Sequence, residues 1–330
     1  VEANLAPVLA QVLAAPTGEP ARADVVTFGM RVFLQLAAAM AGLTAARTPE
    51  GAEELLEILG HVQEALGVHL YPPEEQAALT ARGLVAKASL RDRFYAPALA
   101  EHGELVARVE AGELDAGELP HDLLSLVAAH ADPAFADADL GLREVIQTLV
   151  AGTETSVTTL AHAVHDLRAW FDLHPADYPL RSDPDFLVGA VNETLRLHPV
   201  TPVLPRIAIS DLELPGGDRV AAGSRLAVDP AAANTDPAAF GADAHVYDPR
   251  RQVPKGVYAY GLAFGSGPHM CWGLQLVLGN TGTDGSLVHV LERLYRAGME
   301  PDLDRLPRRD RGLRDTYASY PVVFRGEGES

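Results

Sequence analysis

The ten residues from Phe264 to Gly273 constrain this chain more than any other segment. They contain the single cysteine, Cys271, and their glycines at positions 265, 267 and 273 let backbone pack closely against a flat body. A lone cysteine has two interpretations, a buried small hydrophobe or a thiolate that ligates a metal. A dinucleotide-binding loop is excluded, because Met270 stands where the third glycine of G-x-G-x-x-G belongs.

Composition limits the classes of protein and partner that fit. The chain has 330 residues, 48% of them hydrophobic, which is ample for a sizeable core. One cysteine excludes a disulfide framework and suits a reducing cytoplasm. The net charge of -19 disfavours nucleic acid and anionic membranes as partners. No secretory signal is recognised at the start, and the apolar stretch 33–43 is too short to span a bilayer, so we expect a cytoplasmic protein.

Periodicity predicts a mainly α fold with a small β lobe. Apolar residues recur at helical spacing through 1–199, with one long helix over 140–171 and another over 185–197. Residues 200–262 predict short strands near 203–208, 212–214, 219–220 and 225–228, separated by Pro- and Gly-rich turns. Residues 263–330 contain the cysteine loop, a further helix from 286 and closing strands over 317–324.

The pattern Phe-Gly-x-Gly-x-His-x-Cys-x-Gly resembles the haem-thiolate loop of cytochrome P450 enzymes. The resemblance implies haem b as cofactor, with Cys271 as the axial ligand of its iron. It also implies that His269 and Arg206 pair with the haem propionates. The remaining loop positions that it assigns to cofactor binding are Phe264, Gly265 and Gly273.

The middle of the long helix, Ala151-Gly152-Thr153-Glu154-Thr155-Ser156, is costly for a helix. Each Gly or Thr there loses about 0.5–1 kcal/mol relative to Ala, so either a polar patch is tolerated or the residues have a function. The segment resembles the distal-helix motif of the same family. The resemblance implies that Gly152 makes room for oxygen and that Glu154 and Thr155 deliver protons. We interpret His162 and His165, further along, as ordinary polar helix residues rather than a metal pair.

Glu193 and Arg196 share one face of the second helix. Alone, this spacing is typical of a weak surface ion pair. The family has a Glu-x-x-Arg helix at this place, with a third partner in an aromatic-x-Pro-x-Arg segment. Residues 247–251 fit that segment, which makes Arg251 the candidate and Arg250 the alternate. The resemblance implies a structural role for this triad.

Two regions depart from the family pattern. Gly279, Gly282 and Gly285 weaken the helix expected after the cysteine loop, where the family docks its electron donor, and indicate a kink, a loop or close packing. Residues 1–150 are too few for everything that normally precedes the distal helix, so we expect an N-terminally incomplete P450 fold. We expect 1–330 to form one haem-binding domain, with haem between the distal helix and the Cys271 loop. Position alone suggests these substrate-pocket residues: Val150, Ala151, Val203, Leu204 and Tyr317.

The resemblance implies a monooxygenase that inserts one oxygen atom from dioxygen into a small or medium apolar substrate. Electrons would come from a separate ferredoxin-type donor and its reductase. Two alternatives stay open. One is a peroxide-driven or oxidative-coupling haem-thiolate enzyme, and the other is a non-catalytic relative that binds a partner. Haem binding would separate the last from the enzymes.

Overall fold

A computed structural model describes residues 1–14, 20–280, 283–310 and 315–325. The described residues fall into two compact units, the first drawn from 1–14 and 23–157 and the second from 15–22 and 158–330. Within them, no helix combines the length and the apolarity needed to cross a bilayer.

Several helices begin where the sequence supplies a capping side chain. Asp24, Thr48 and Asp183 each accept a hydrogen bond from a backbone amide of the first turn that follows. A π-helical turn, Arg91–Tyr95, joins two of the helices. The α-helices are α1 Glu2–Leu13, α2 Val25–Ala41, α3 Pro49–Leu66, α4 Pro73–Leu90, α5 Ala96–Glu110, α6 Leu123–Ala128, α7 Ala138–Leu173, α8 Pro184–Leu197, α9 Pro230–Asn234, α10 Pro237–Phe240, α11 Leu274–Leu278 and α12 Ser286–Arg296.

Among the described residues, the strands form one small three-stranded sheet and three antiparallel pairs. One sheet has the order β1-β9-β6, and the others are the pairs β2–β5, β3–β4 and β7–β8. In the β2–β5 pair, Arg206 lies opposite Leu226. The strands are β1 Ala21–Asp24, β2 Leu204–Ile207, β3 Leu212–Glu213, β4 Arg219–Val220, β5 Arg225–Val228, β6 Met299–Pro301, β7 Arg308–Arg309, β8 Tyr317–Ser319 and β9 Pro321–Phe324.

The core of the first unit is aliphatic. Leu34, Leu55, Leu90, Leu124 and Leu149, from α2, α3, α4, α6 and α7, are almost completely buried in one cluster. Burying each such side chain contributes about 1.5–3 kcal/mol. This packing holds the part of α7 that carries the segment 151–155.

The core of the second unit centres on α12 and α8, which pack on each other. Leu287, Leu291 and Leu294 line the buried face of α12, and Leu187 and Val191 line that of α8. The spacing of three and four residues within each helix is the helical period. This packing fixes α8, which carries Glu193 and Arg196.

The predicted long helix, the predicted helix over 185–197 and the four predicted short strands are confirmed as α7, α8 and β2–β5. The closing strands differ from the expected pair, because β8 pairs with β7 while β9 pairs with β6. The helix after the cysteine loop is interrupted as its glycines indicated. Helix α11 ends at Leu278, and α12 begins after Gly285; Gly282 lies outside the described residues.

Candidate functional site

The Cys271 loop is closed by its own backbone. The Cys271 amide donates to the Phe264 carbonyl at 2.9 Å, across a turn in which Gly265 and Gly267 have φ values of +70° and +77°. Only glycine adopts that left-handed backbone without strain, so the glycines determine the path of the loop. Phe264 is buried beneath it, whereas Cys271 is exposed and Trp272 is 95% exposed. The loop therefore presents its thiol outward from a fixed base.

The other predicted loop and propionate residues lie at exposed or half-buried positions. His269 is exposed in a 3-10 turn. Arg206 is exposed on β2, where its Nη1 donates to the Pro205 carbonyl at 2.9 Å. A Cβ at Gly273 would lie 3.5 Å from the Cys271 Sγ, an ordinary contact. The described residues therefore do not by themselves require glycine at 273.

Glu193, Arg196 and Arg251 form one buried charge cluster. Arg196 donates to both carboxylate oxygens of Glu193, at 2.6 and 2.7 Å, and Arg251 Nε donates to Glu193 Oε2 at 3.1 Å. The Asp248 amide donates to the same oxygen at 3.1 Å. Arg196 is 0% and Glu193 3% exposed, so the pair is a buried one and not the weak surface pair that the spacing alone suggests. The structure thus brings the predicted triad together.

The alternate candidate, Arg250, has a different partner. Its Nη2 donates to Asp177 Oδ1 at 2.6 Å, and this pairing lowers the pKa of Asp177 and raises that of Arg250. Burial lowers the pKa of Arg251, but its bonds to Asp243 and Glu193 outweigh that effect and raise it. Arg251 is therefore the third member of the cluster.

Asn234 links the cluster to the cysteine loop, and the sequence analysis gave it no role. Its Nδ2 donates to the Arg196 carbonyl at 2.9 Å, and its Oδ1 accepts from the Leu262 amide at 2.7 Å. The Leu262 carbonyl in turn accepts from the Gly265 amide at 2.9 Å. A continuous path of hydrogen bonds thus runs from Arg196 to the base of the loop. The signal in the sequence was the stretch Ala233-Asn234-Thr235-Asp236-Pro237, which resembles a segment of the same family but does not indicate what Asn234 contacts.

Two hydroxyl groups in the segment 151–156 of α7 donate hydrogen bonds back to carbonyls of the same helix. Thr155 Oγ1 donates to the Ala151 carbonyl at 2.6 Å, and Ser156 Oγ donates to the Gly152 carbonyl at 2.9 Å. Hydroxyl groups bonded in this way compete with the backbone amides of the helix for its carbonyl oxygens. A Cβ at Gly152 would lie 3.2 Å from the Ala37 Cβ, so the glycine lets α2 approach α7. Glu154 and Thr155 are half-buried.

The predicted pocket residues have differing environments. Val150 packs against the core of the first unit, Ala151 is exposed, Val203 is 48% exposed and Leu204 is half-buried. Tyr317 is buried, and burial is the main cause that raises its pKa to about 12. A cavity of about 300 Å³ in the second unit has other walls, among them Val164, Phe171, Tyr178, Tyr295 and Met299.

The two histidines of α7 have partners that the sequence analysis overlooked. His162 is fully buried and its ring stacks on that of His198 at 4.1 Å between centroids. His198 Nε2 lies 3.3 Å from a carboxylate oxygen of Asp166, only four residues beyond His162. His165 instead contacts the rings of Tyr317 and Tyr320. His198 is distant from His162 in the sequence, so no local spacing indicated this contact.

Comparisons with known proteins agree with this architecture. The cytochrome P450 family profile matches residues 175–278, a stretch that includes Glu193, Arg196, Arg251 and Cys271. Luteothin monooxygenase of Streptomyces thioluteus is 35% identical over 178 residues, 52% of this chain and 40% of that protein. Nocardicin C N-oxygenase of Nocardia uniformis is 32% identical over 233 residues, 67% of this chain and 55% of that protein. The chain thus spans about half the length of the curated relatives it matches.

Solved structures show the same fold. The crystal structure of CalO2 superposes with a TM-score of 0.69 at 23% identity, over 99% of this chain and 72% of that one. The mainly helical fold with small sheets, the buried Glu-x-x-Arg cluster and the exposed loop cysteine fit the class of protein that the family profile describes. The chain belongs to the cytochrome P450 family.

Family membership implies haem, and the residues of the second unit suit that group. Cys271 offers a soft sulfur ligand at an exposed position, and Trp272 beside it leaves its apolar ring uncovered. Exposed Arg206 has the positive charge, and exposed His269 a ring N–H donor, that suit carboxylate propionates. Thiolate is an established ligand of haem iron. The donor set is therefore appropriate to the cofactor.

Proposed function

We propose that the chain is the haem-binding domain, 1–330, of a cytochrome P450 monooxygenase. The observation that carries the proposal is the exposed Cys271 thiol, in a loop tied by Asn234 to the buried cluster of Glu193, Arg196 and Arg251. Such a link fixes the position of the ligand before the cofactor binds. The reaction is insertion of one oxygen atom from dioxygen into a small or medium apolar substrate, as in the monooxygenases it resembles.

In this proposal Cys271 holds haem b through its thiolate, and Arg206 and His269 pair with the propionates. Phe264, Gly265 and Gly273 shape the loop. Haem, when bound, supplies the activation of dioxygen, and a thiolate ligand favours cleavage of the O–O bond. The remaining tasks belong to side chains that move protons and exclude water.

Glu154 and Thr155 are proposed to deliver protons. Thr155 donates its hydroxyl hydrogen to the Ala151 carbonyl at 2.6 Å, and a hydroxyl group is chemically both a donor and an acceptor of hydrogen bonds. Glu154 is half-buried and keeps contact with water, which suits a carboxylate that passes protons inward. Gly152 has no side chain that would occupy space next to Glu154 and Thr155. The proposed substrate contacts remain Val150, Ala151, Val203, Leu204 and Tyr317.

Electrons are proposed to come from a ferredoxin-type donor and its reductase, as the resemblance to the family implies. A cytoplasmic location belongs to the same proposal, because a single cysteine suits a reducing compartment. No nucleic acid or membrane is proposed as a partner of a chain with net charge -19.

The test is the absorption spectrum of the haem-loaded, reduced chain under carbon monoxide. We expect the strongly red-shifted Soret band of thiolate ligation, lost in Cys271→Ser and kept in the neighbouring exposed control Ser266→Ala. A chain that binds no haem would refute the proposal and favour a non-catalytic relative. A spectrum that Cys271→Ser leaves unchanged would refute the ligand assignment.

One observation favours a second candidate, a peroxide-driven or oxidative-coupling haem-thiolate enzyme. Helix α11 has only five residues and ends at Leu278, in the region where the family docks its electron donor. Product formation with hydrogen peroxide alone, compared with dioxygen plus a ferredoxin and its reductase, separates the two. Turnover with peroxide but not with the electron donor would replace the monooxygenase proposal.

A further inference from the structure

Three side chains with metal-ligating atoms meet in the second unit. His162 lies on α7, His198 directly follows α8, and Asp315 lies two residues before β8. One nitrogen from each histidine and one carboxylate oxygen lie within 4.8 Å of one another. We propose that His162, His198 and Asp315 bind a divalent transition-metal ion of the zinc type. This inference is independent of the haem proposal.

The hydrogen bond of His162 determines which of its nitrogens is available. Its Nε2 lies 2.9 Å from the Asp315 carbonyl oxygen, which can only accept, so Nε2 carries the proton. Nδ1 then has a lone pair, and among the described residues this buried atom has no hydrogen-bond partner. An unpaired buried polar atom is unfavourable, and a metal ion would satisfy it.

His198 has the same arrangement. Its Nε2 lies 3.3 Å from Asp166 Oδ2, an acceptor, which leaves the lone pair on Nδ1. That Nδ1 lies 3.8 Å from Asp315 Oδ2. Asp166 is 9% exposed and also accepts from Thr194 Oγ1 at 3.1 Å. A carboxylate that accepts a hydrogen bond from the histidine nitrogen not bound to the metal orients the ring and raises its basicity as a metal ligand.

One of the two carboxylate oxygens of Asp315 is available to a metal ion. Its Oδ1 pairs with Arg309, while Oδ2 faces His198. Arg309 opposes a cation at this place, but Asp315 and Asp166 together carry two negative charges against its one. The balance of charge is therefore negative around the three proposed ligands.

Metal binding must move one ring. The imidazole planes are stacked within 16°, and two parallel rings cannot both direct a nitrogen at one ion about 2.0–2.1 Å away. The His198 side chain is 23% exposed and has room to tilt, whereas His162 is fully buried. Two imidazoles and one carboxylate leave the fourth tetrahedral position for water, and this donor set selects zinc-like ions over Mg²⁺ or Ca²⁺.

The experiment titrates Zn²⁺ into the purified full chain in competition with a chromophoric chelator. Co²⁺ serves as a second, spectroscopic probe of tetrahedral coordination. We expect one site, weakened at least tenfold in His198→Gln and in Asp315→Asn. Asp166→Asn, which removes the carboxylate behind His198, should weaken it about 10–100-fold. The matched control is His165→Gln on the same helix, which should bind as the parent does.

Asp315→Asn is the decisive variant, because the Asp315 side chain is 67% exposed and its replacement should leave the fold intact. Circular dichroism of each variant checks this. The proposal is overturned if the parent chain binds no equivalent of Zn²⁺. It is equally overturned if Asp315→Asn and His198→Gln bind like the parent, or if His165→Gln loses the ion to the same extent.

Discussion

Replacing Glu193 by Gln should destabilise this protein far more than an isosteric change usually does. The Glu193 carboxylate is 3% exposed and accepts four hydrogen bonds, two from Arg196, one from Arg251 and one from the Asp248 amide. A Gln side chain offers one oxygen and one NH₂ group. In the most favourable orientation of the Gln side chain, its oxygen accepts the three hydrogen bonds that Oε2 accepts in Glu193. Its NH₂ group then faces the Arg196 Nε–H, which is also a donor.

The magnitude follows from the charges left behind. One charge-assisted bond, worth about 1.5–3 kcal/mol, is lost outright. The guanidinium groups of Arg196 and Arg251, whose side chains are 0% and 6% exposed, also lose the charge of the buried carboxylate that they share. Removing one partner of a buried ion cluster typically costs about 3–5 kcal/mol. Since whole proteins are stable by about 5–15 kcal/mol, this is a large fraction.

Urea unfolding followed by circular dichroism measures the loss for Glu193→Gln. The matched control is Glu300→Gln, which removes a carboxylate paired with Arg325 at 3.0 Å but 40% exposed. Surface pairs contribute at most about 1 kcal/mol, so the control should unfold almost like the parent. A loss for Glu193→Gln no larger than that of the control would refute the reasoning.

Three further changes test other contacts. Gly189→Ala places a Cβ 1.9 Å from the Pro249 carbonyl oxygen and should lower the free energy of unfolding by about 1–3 kcal/mol, whereas Gly60→Ala, with open space around it, should raise it by about 0.5–1 kcal/mol. Equal effects in thermal unfolding would contradict this. Asn234→Ala breaks two buried hydrogen bonds and should cost about 1–3 kcal/mol in chemical denaturation, and a neutral result would remove its linking role. Burial raises the pKa of Asp302, but its partners outweigh burial and lower it, so its stabilisation is complete above the unfolded value of about 3.9 and disappears as the pH falls through the lower folded value. Unfolding midpoints measured from pH 7 to 3 should fall more steeply for the parent than for Asp302→Asn, and parallel curves would exclude the effect.

Local patterns predicted much of the fold because their signals are local. The helical period over 140–171 and over 185–197 is sufficient to place α7 and α8. The glycines at 279 and 285 marked a true break between α11 and α12. The pairing partners of the closing strands could not be predicted. No pattern in residues 317–324 indicates that β8 pairs with β7 and β9 with β6.

The residues of the candidate site also divide into those that short motifs predict and those that depend on contacts distant in the sequence. Family motifs led to Glu193, Arg196, Arg251 and Cys271, since each motif is a short pattern with a fixed spacing. Asn234 acts through contacts to residues 28 and 38 positions away, which no short pattern encodes. The contact of His162 with His198 likewise depends on how α7 and the end of α8 pack. Sequence distance, not weak chemistry, hid these residues.

The exposed indole beside the cysteine gives the protein a built-in optical reporter. The chain has two tryptophans, and Trp170 stacks on His174 at 3.7 Å while its Nε1 donates to Asp177 at 3.0 Å. Trp272, by contrast, stands 95% exposed next to Cys271. With Trp170 replaced by Phe, the fluorescence of a single indole would follow any chromophore that arrives at the thiol, and iodide would quench it freely until the loop is covered.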